Sequence, residues 1–288
     1  MKTLKYYLNK AEKEKFAIGQ FNFCAGSQLR GIVEAAKKLK SPIILGTSEG
    51  ESNFFGLEEA IAMRNILRKK YNLPIFLNLD HGKSFEYLKR AVDCGYDMVH
   101  FDGSKLSFEE NIKITKQVAR YAKRKGVLVE GEIGRIATDS SKVYEEKFEI
   151  KEEFLTNPAE SVKYTDKSKV NLLAVSIGNF HGIEASGQNP GLLLNRLTEI
   201  KKAVKNTFLV LHGGSGTPEE DIKKAIDLGI VKININTEVR MAFSKTLRNS
   251  LQENPGEIVP YKYLQNSVEA VQKIVEEKIK LFGSNNKI

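Results

Sequence analysis

Three of the four histidines in this 288-residue chain are each followed directly by glycine. They are His81, His181 and His212, and each follows an apolar run. Imidazole is the commonest metal ligand among side chains, and three imidazoles with one open position are typical of a catalytic zinc site. Their wide separation excludes a zinc finger, whose ligands lie close together in sequence. We therefore predict a metal site that requires a fold with converging strand ends.

Short apolar runs alternate with segments of helical periodicity along the chain. Eight parallel βα units close a barrel, so we predict an α/β fold, a (β/α)8 TIM barrel that forms a single domain over residues 1–288. A long loop near residues 137–156 and a C-terminal helix complete this prediction. The predicted strands are 17–22, 42–45, 75–79, 98–101, 127–133, 172–177, 208–211 and 231–235. The predicted helices are 28–39, 57–70, 85–94, 108–125, 192–204, 219–228, 238–251 and 267–281.

The rival fold is a doubly wound open sheet. Such a sheet normally carries a glycine-rich nucleotide-binding fingerprint after its first strand, and this sequence has none. The barrel is therefore the better prediction.

Polar residues and glycines follow all eight predicted strands. In barrels of this kind the active site lies at the carboxyl ends of the strands, so histidines after the third, sixth and seventh strands face the same mouth. Asp80 directly precedes His81, where a carboxylate could support a metal-bound imidazole or act as a general acid/base. The fourth histidine, His100, lies within the fourth strand, and we interpret it as structural.

A glycine-rich loop at residues 213–216 precedes a predicted helix. Its exposed backbone N–H groups suit a phosphate. Residues 234–237 form the next loop, after the eighth strand, and barrel enzymes commonly bind phosphate between these two loops. The sequence therefore predicts a phosphorylated small molecule as ligand.

The chain carries 45 Lys and Arg against 36 Asp and Glu, a net charge of +9. The lysines are interspersed with glutamates and form no stripe with aromatic residues, which argues against nucleic-acid binding. Two cysteines without a CxxC motif suit a reducing compartment, and no apolar run approaches the length of a membrane span. We therefore expect a cytoplasmic protein with neither a nucleic-acid nor a membrane partner.

With these motifs assembled, the chain resembles the class II, metal-dependent ketose-bisphosphate aldolases, most closely the fructose-1,6-bisphosphate aldolases. The resemblance covers nearly the whole length. It is carried by LDHG at 79–82, FEEN at 108–111, VEGEIG at 129–134, HGGSG at 212–216 and KININTE at 232–238.

The resemblance implies that His81, His181 and His212 hold a catalytic zinc ion and that a monovalent cation lies near the phosphate. It also implies that Asp80 is the acid/base that takes the proton of the C4 hydroxyl group. The other implied residues are Asp102 and Glu132 at an alternative metal position, Asn22, Ser48 and the catalytic Asn234 around the substrate, Gly182, Gly213, Ser215, Asn236 and Thr237 around the phosphate, and Arg240 at the distal phosphate.

The implied reaction is the reversible cleavage of fructose 1,6-bisphosphate to dihydroxyacetone phosphate and glyceraldehyde 3-phosphate, in a homodimer or homotetramer. The chain departs from the family pattern at Asn78, Ala185 and Asn236. The loop 135–146 also lacks the glycine pair and acidic pair of the family, so the resemblance does not identify the proton-transfer acid. Asp139 and Glu145 are the candidates for that role.

Several alternatives remain open from the sequence. The substrate could be tagatose 1,6-bisphosphate or another ketose phosphate. The enzyme could also be a metal-free phosphate-binding barrel with Glu132 or Asp80 as base, and Lys232 could replace the metal by forming a Schiff base. A non-catalytic binding protein is the remaining alternative.

Overall fold

The computed structural model describes residues 2–136, 138 and 142–288. Their strands are β1 (Ile18–Asn22), β2 (Ile43–Ser48), β3 (Ile75–Gly82), β4 (Met98–Phe101), β5 (Leu128–Ile133), β6 (Val143–Tyr144), β7 (Leu172–Val175), β8 (Ile183–Glu184), β9 (Phe208–Leu211) and β10 (Ile230–Ile235). Their helices are α1 (Leu4–Glu14), α2 (Gly26–Leu39), α3 (Glu49–Phe55), α4 (Leu57–Tyr71), α5 (Phe85–Cys94), α6 (Phe108–Lys123), α7 (Pro158–Ser168), α8 (Leu194–Ala203), α9 (Glu219–Asp227), α10 (Thr237–Glu253), α11 (Pro260–Tyr263) and α12 (Gln265–Leu281).

Eight of the described strands close a parallel barrel in the order β1-β10-β9-β7-β5-β4-β3-β2. The closure pairs the first strand with the last, since Ile18 lies opposite Lys232. The predicted TIM barrel is therefore confirmed, and the open doubly wound sheet is excluded. Short β6 and β8 pair with each other outside the barrel.

Four helices, α1, α3, α7 and the short α11, are absent from the sequence prediction. Helix α1 has a clear signal, because its apolar residues Leu4, Tyr7, Leu8 and Ala11 are all buried and follow helical spacing. Within the stretch 137–156, the described residues form only the two-residue strand β6 and a short 3-10 turn. No helix among the described residues has the length and apolar character needed to cross a bilayer.

The inner face of the barrel is built in layers, because alternate residues of a strand point to the same side. An apolar floor, which α1 covers, contains Ile18, Ile44, Phe76, Met98, Leu172, Val210 and Val231. Two residues further along several strands lie polar side chains that are fully buried. We call this set the polar layer, and it consists of Gln20, Asn78, His100, Glu130 and Lys232.

The C-terminal helix α12 packs against α2 beside the first strand. The Ala17 amide donates to the Phe282 carbonyl at 3.0 Å, and the Asn286 amide donates to the Leu39 carbonyl at 2.9 Å. At Gly31 the two helices approach so closely that a Cβ atom would lie 2.6 Å from the Val268 carbonyl oxygen. The absence of a side chain there allows the contact.

We expect Gly31→Ala to lower the free energy of unfolding by about 1–3 kcal/mol, because the added methyl group meets backbone that cannot move aside. The matched control is Gly26→Ala at the exposed start of the same helix, where a Cβ meets nothing within 4 Å. Urea denaturation measures both variants. Equal stabilities of the two would contradict this account of the α2–α12 contact.

Candidate metal centre

A cavity of about 820 Å³ opens at the carboxyl ends of the barrel strands. Apart from Lys232 and the two candidate acids of the loop 135–146, the site residues predicted from the sequence all line it. These residues are Asn22, Ser48, Asp80, His81, Asp102, Glu132, His181, Gly182, His212, Gly213, Ser215, Asn234, Asn236, Thr237 and Arg240.

The three predicted metal-binding histidines lie side by side. The ring centroids of His81 and His181 are 4.9 Å apart, those of His81 and His212 are 4.9 Å apart, and those of His181 and His212 are 5.9 Å apart. Segments separated by up to 131 positions in the chain thus bring three imidazoles to one point of the barrel mouth.

Two carboxylates determine how these rings present their nitrogens. His81 Nδ1 lies 3.1 Å from Asp102 Oδ2, and His212 Nε2 lies 2.6 Å from Glu130 Oε1. A carboxylate only accepts, so each of these nitrogens carries the proton of its ring. The other nitrogens, His81 Nε2 and His212 Nδ1, face each other at 3.1 Å.

Two lone pairs at that distance repel each other unless a positive charge lies between them. Burial lowers the pKa of His81, yet the charge of Asp80 and the hydrogen bond with Asp102 raise it overall. The space between the two nitrogens therefore favours positive charge, whether a proton or a metal ion supplies it. In a tetrahedral zinc site with Zn–N distances of about 2.1 Å, two ligand nitrogens would lie about 3.4 Å apart. The spacing of the rings therefore fits a shared divalent ion.

His181 supplies a third nitrogen. Its Nε2 atom is shielded from solvent and has no hydrogen-bond partner among the described residues. Burial, together with the charges of His81 and His212, lowers the pKa of His181 well below its usual value, and burial also lowers that of His212. Both rings are thus neutral, which is the form that binds metals, and the residues present fit the implied metal ion.

A second group of ligand atoms lies beside the first. Atoms of His81, Asp102 and Glu132 lie within 4.8 Å of one another. Asp102 also accepts from the Ser104 hydroxyl at 2.6 Å. The two acidic residues that the sequence analysis assigns to an alternative metal position therefore share one ligand, His81, with the main site.

The carboxylate of Asp80 is held by amides. Its two oxygens accept from Asn22 Nδ2 at 3.1 Å and from Asn234 Nδ2 at 3.2 Å. Burial raises the pKa of Asp80, but neighbouring groups, above all the charge of His81, lower it well below its usual value. Asp80 is therefore an ionised, oriented proton acceptor directly beside the histidines.

The polar layer carries the contacts that sequence reasoning missed. Asn78 Nδ2 donates to Gln20 Oε1 at 2.8 Å, and Gln20 Nε2 donates to Asn22 Oδ1 at 3.1 Å. Lys232 Nζ donates to Asn234 Oδ1 at 2.7 Å and lies 2.9 Å from Glu130 Oε2. Asn22 and Asn234 are thus braced from below, and the polar residues two positions earlier in their strands, Gln20 and Lys232, are the sequence signal for this.

His100 also belongs to this layer, although the sequence analysis treats it only as structural. Burial lowers its pKa, whereas the carboxylates of Asp80 and Glu132, 3.7 and 3.4 Å from its two ring nitrogens, raise it overall and favour a protonated ring. However, the backbone N–H of His81 points at His100 Nδ1 from 3.2 Å, which requires a bare nitrogen there. The directed hydrogen bond decides the protonation state, and we assign a neutral ring with its proton on Nε2.

Ser48 and Arg240 are both engaged with Glu51. Ser48 is the N-cap of α3, where its hydroxyl accepts from the Glu51 amide at 3.3 Å. Arg240 Nη2 lies 2.7 Å from Glu51 Oε1. Both residues line the cavity as expected, but the helix cap and the ion pair already use their polar groups.

The predicted phosphate loop has the required open backbone. Gly213 has φ +61°, and a Cβ there would lie 2.0 Å from the Phe180 carbonyl oxygen, so only glycine fits. Nearby, the buried Oδ1 atom of Asn236 has no hydrogen-bond partner among the described residues. The Ser215 hydroxyl accepts from the Glu238 amide at 3.3 Å.

The two candidates for a proton-transfer acid fare differently. Asp139 lies outside the described residues. Glu145 is exposed and does not line the cavity, although its neighbour Tyr144 does. In the same loop, the hydroxyl of Thr138 donates to the carbonyl oxygen of His181.

Comparison with known proteins extends these observations to the whole chain. The family model described as fructose-bisphosphate aldolase class-II matches residues 2–287. The chain belongs to the class II fructose-bisphosphate aldolase family. Members of this class generally use a divalent metal ion, in agreement with the ligand groups described above.

Individual relatives carry different substrate names. The chain is 40% identical to the sulfofructosephosphate aldolase of Alkalicoccus urumqiensis, with 98% of this chain and 96% of that protein covered. It is 37% identical to a Bacillus subtilis (strain 168) protein named "Probable fructose-bisphosphate aldolase", covering 97% and 96%. The crystal structure of the YdjI aldolase from Escherichia coli K12 is similar with a TM-score of 0.82 and 30% identity, covering 100% of this chain and 99% of that one.

In this class II family member, the ion pair between Lys232 and Glu130 beneath the site leads to a prediction about stability. Lys232 and Glu130 are both fully buried, so Lys232→Met leaves an uncompensated carboxylate. We expect a loss of about 3–5 kcal/mol in the free energy of unfolding, measured by urea denaturation.

The exposed Lys105→Met is the matched control, and we expect it to change stability by less than about 0.5 kcal/mol. The double variant Glu130→Gln/Lys232→Met should lose less than the sum of its single variants, because no charge is left unpaired. Additive losses would show that the pair is not coupled.

Proposed function

We propose that this protein is a zinc-dependent aldolase that reversibly cleaves fructose 1,6-bisphosphate to dihydroxyacetone phosphate and glyceraldehyde 3-phosphate. The observation that carries the proposal is the convergence of three imidazole rings beside the oriented carboxylate of Asp80. We propose zinc because imidazoles with an open position suit it. We also expect a homodimer or homotetramer, as the family resemblance implies.

Cleaving the carbon–carbon bond beside a ketone requires a base and an electron sink. Zinc, when bound, would supply the sink as a Lewis acid. The chain supplies the base, since Asp80 is ionised and can accept the proton of the C4 hydroxyl group. The amides of Asn22 and Asn234 hold the two oxygens of that carboxylate in place.

The cavity offers binding groups for both ends of a ketose bisphosphate. The glycine-rich loop with Gly213 and Ser215 suits the phosphate of the dihydroxyacetone half. Exposed basic residues lie on the cavity lining, namely Lys83, Lys105 and Arg135, and favour a second anion at the other end. A substrate with one anionic group at each end therefore matches the charge of the site.

Lys232 is a poor candidate for the Schiff-base alternative. Its ammonium group is paired with Glu130 and donates to Asn234, so it has no free lone pair with which to attack a carbonyl. Lys232 is also fully buried and does not line the cavity, whereas the three histidines do. The contacts of Lys232 therefore support a role in bracing the site.

The name of the 40% identical relative favours a second candidate substrate, a sulfofructose phosphate. A sulfonate and a phosphate are both tetrahedral oxyanions, and exposed lysines and arginines accept either. Tagatose 1,6-bisphosphate, which differs in hydroxyl stereochemistry, is a further candidate. The distal group and the C4 configuration are thus the features that a substrate comparison must separate.

Metal removal tests the proposed chemistry. We expect the wild-type protein to bind zinc, to lose aldol cleavage after chelation, and to regain it with added zinc. His212→Ala should lose both bound zinc and cleavage. Asp80→Asn should retain zinc but cleave at least about 10²-fold more slowly, because it lacks the base. Metal analysis and a coupled cleavage assay measure these effects.

Full activity without metal would reject the proposal in favour of the metal-free barrel enzyme. An Asp80→Asn variant that cleaves at the wild-type rate would refute the assignment of the base alone.

A substrate panel tests specificity. We expect fructose 1,6-bisphosphate to have a higher kcat/KM than tagatose 1,6-bisphosphate and than a sulfofructose phosphate. Proton exchange between dihydroxyacetone phosphate and solvent is the control, because that half is common to all three. A preference of tenfold or more for either competitor would reassign the substrate while leaving the aldolase reaction intact.

A further inference from the structure

We infer that His100 is a positioning residue for the metal ligand His81, an inference that rests on the proposed metal-dependent function. Its ring accepts the backbone N–H of His81 and thereby holds that residue in the left-handed conformation from which its imidazole faces His212. The role therefore belongs to a buried side chain that lies one strand away from the ligand it positions.

The backbone at His81 needs outside support. His81 has φ +53°, in the left-handed region that residues with a Cβ atom rarely adopt. The pairing of β3 with β4 is also irregular here, because its register shifts between Leu79 and Gly82. The interrupted ladder leaves the His81 amide to a side-chain acceptor, and His100 Nδ1 lies 3.2 Å from it.

His100 is well placed to be a rigid acceptor. It is fully buried, and its ring centroid lies 4.8 Å from that of His81 and 4.8 Å from that of His212. With Nδ1 accepting, the proton lies on Nε2, which is 3.4 Å from Glu132 Oε2. The carboxylate of Glu132 is the acceptor group nearest to that proton, although neither atom makes a hydrogen bond in the structure, so the directed bond from the His81 amide sets the tautomer.

The same contacts argue against His100 as an additional metal ligand. Its ligand atom lies within 4.8 Å of those of Asp80, His81 and His212, so proximity alone would permit binding. However, Nδ1 is used by the His81 amide and Nε2 faces Glu132. The nitrogens that face each other belong to His81 and His212, and His100 acts through the backbone of His81.

Three substitutions separate the two ends of the ring. His100→Asn places an amide oxygen where Nδ1 lies and can still accept from His81. His100→Gln extends its amide toward the Nε2 position and serves Glu132 instead. His100→Leu removes both functions at similar volume.

We expect the zinc dissociation constant, measured by competition with a chromophoric chelator, to rise by about 10–100-fold in His100→Leu and His100→Gln. His100→Asn should stay within about threefold of wild type, since it keeps the hydrogen bond on which ligand orientation depends. The visible absorption spectrum of the cobalt-substituted protein should change in the same two variants. Thermal melts confirm that each variant is folded.

The pattern of the variants decides the inference. Wild-type zinc affinity in His100→Leu would overturn it, and so would a loss in His100→Asn with retention in His100→Gln, because the role would then run through Glu132. Crystal structures of the metal-free variants give an independent measure. His81 should leave the left-handed region in His100→Leu but keep it in His100→Asn.

These outcomes are distinct from failure of the proposed function. A wild-type protein that binds no metal would refute the zinc-dependent aldolase. In that case the His81 φ angle in the metal-free crystals still confirms or rejects the positioning by His100.

Discussion

Successive side chains on a strand point to opposite faces, so whatever lies two residues before a site residue lies directly beneath it in the barrel. Beneath Asn22 and Asn234 those positions are polar, and their side chains bond upward. Gln20 bonds to Asn22, and Lys232 bonds to Asn234. The geometry of the Asp80 carboxylate depends on this constraint, because both amides that hold Asp80 are themselves held by the polar layer.

Burying such a layer is costly unless its groups satisfy one another. The positive charge of Lys232 meets Glu130, and Glu130 also fixes the tautomer of His212. Burial raises the pKa of Glu130, but the charge of Lys232 and the hydrogen bond with His212 lower it overall, so the carboxylate stays ionised. One buried charge pair therefore serves both the stability of the barrel and the presentation of the bare nitrogen of His212.

Much of the site could be predicted from the sequence because each strand end is marked by an apolar run followed by polar residues and glycines. Eight apolar runs that alternate with helical segments predicted the barrel. The barrel in turn predicted that His81, His181 and His212, which follow three of those runs, lie at one mouth. The polar layer was not predicted because Gln20, Asn78 and His100 lie inside apolar runs. A single polar residue in such a run is usually interpreted as an isolated core position. Facing lone pairs, the helix cap at Ser48 and the ion pair of Arg240 depend on rotamers and on distant partners, which spacing along a chain does not encode.

The substrate is a different kind of problem. Fructose and tagatose bisphosphates differ at one stereocentre, and a sulfonate differs from a phosphate mainly in charge. These differences are read by the placement of a few atoms around the cavity, such as the amides beside Asp80. Residue types alone therefore identify the reaction class more readily than the sugar.

The pairing of β1 with β10 has a consequence for biosynthesis. A nascent polypeptide that emerges from the ribosome holds its first barrel strand long before the last one is made, so two sheet edges stay unprotected until β10 has been synthesised. Helix α1 is made before every strand, but the floor that it covers is complete only when β10 adds Val231. Cellular factors that shield open β-edges during synthesis would therefore matter more for this chain than for one built from consecutive hairpins.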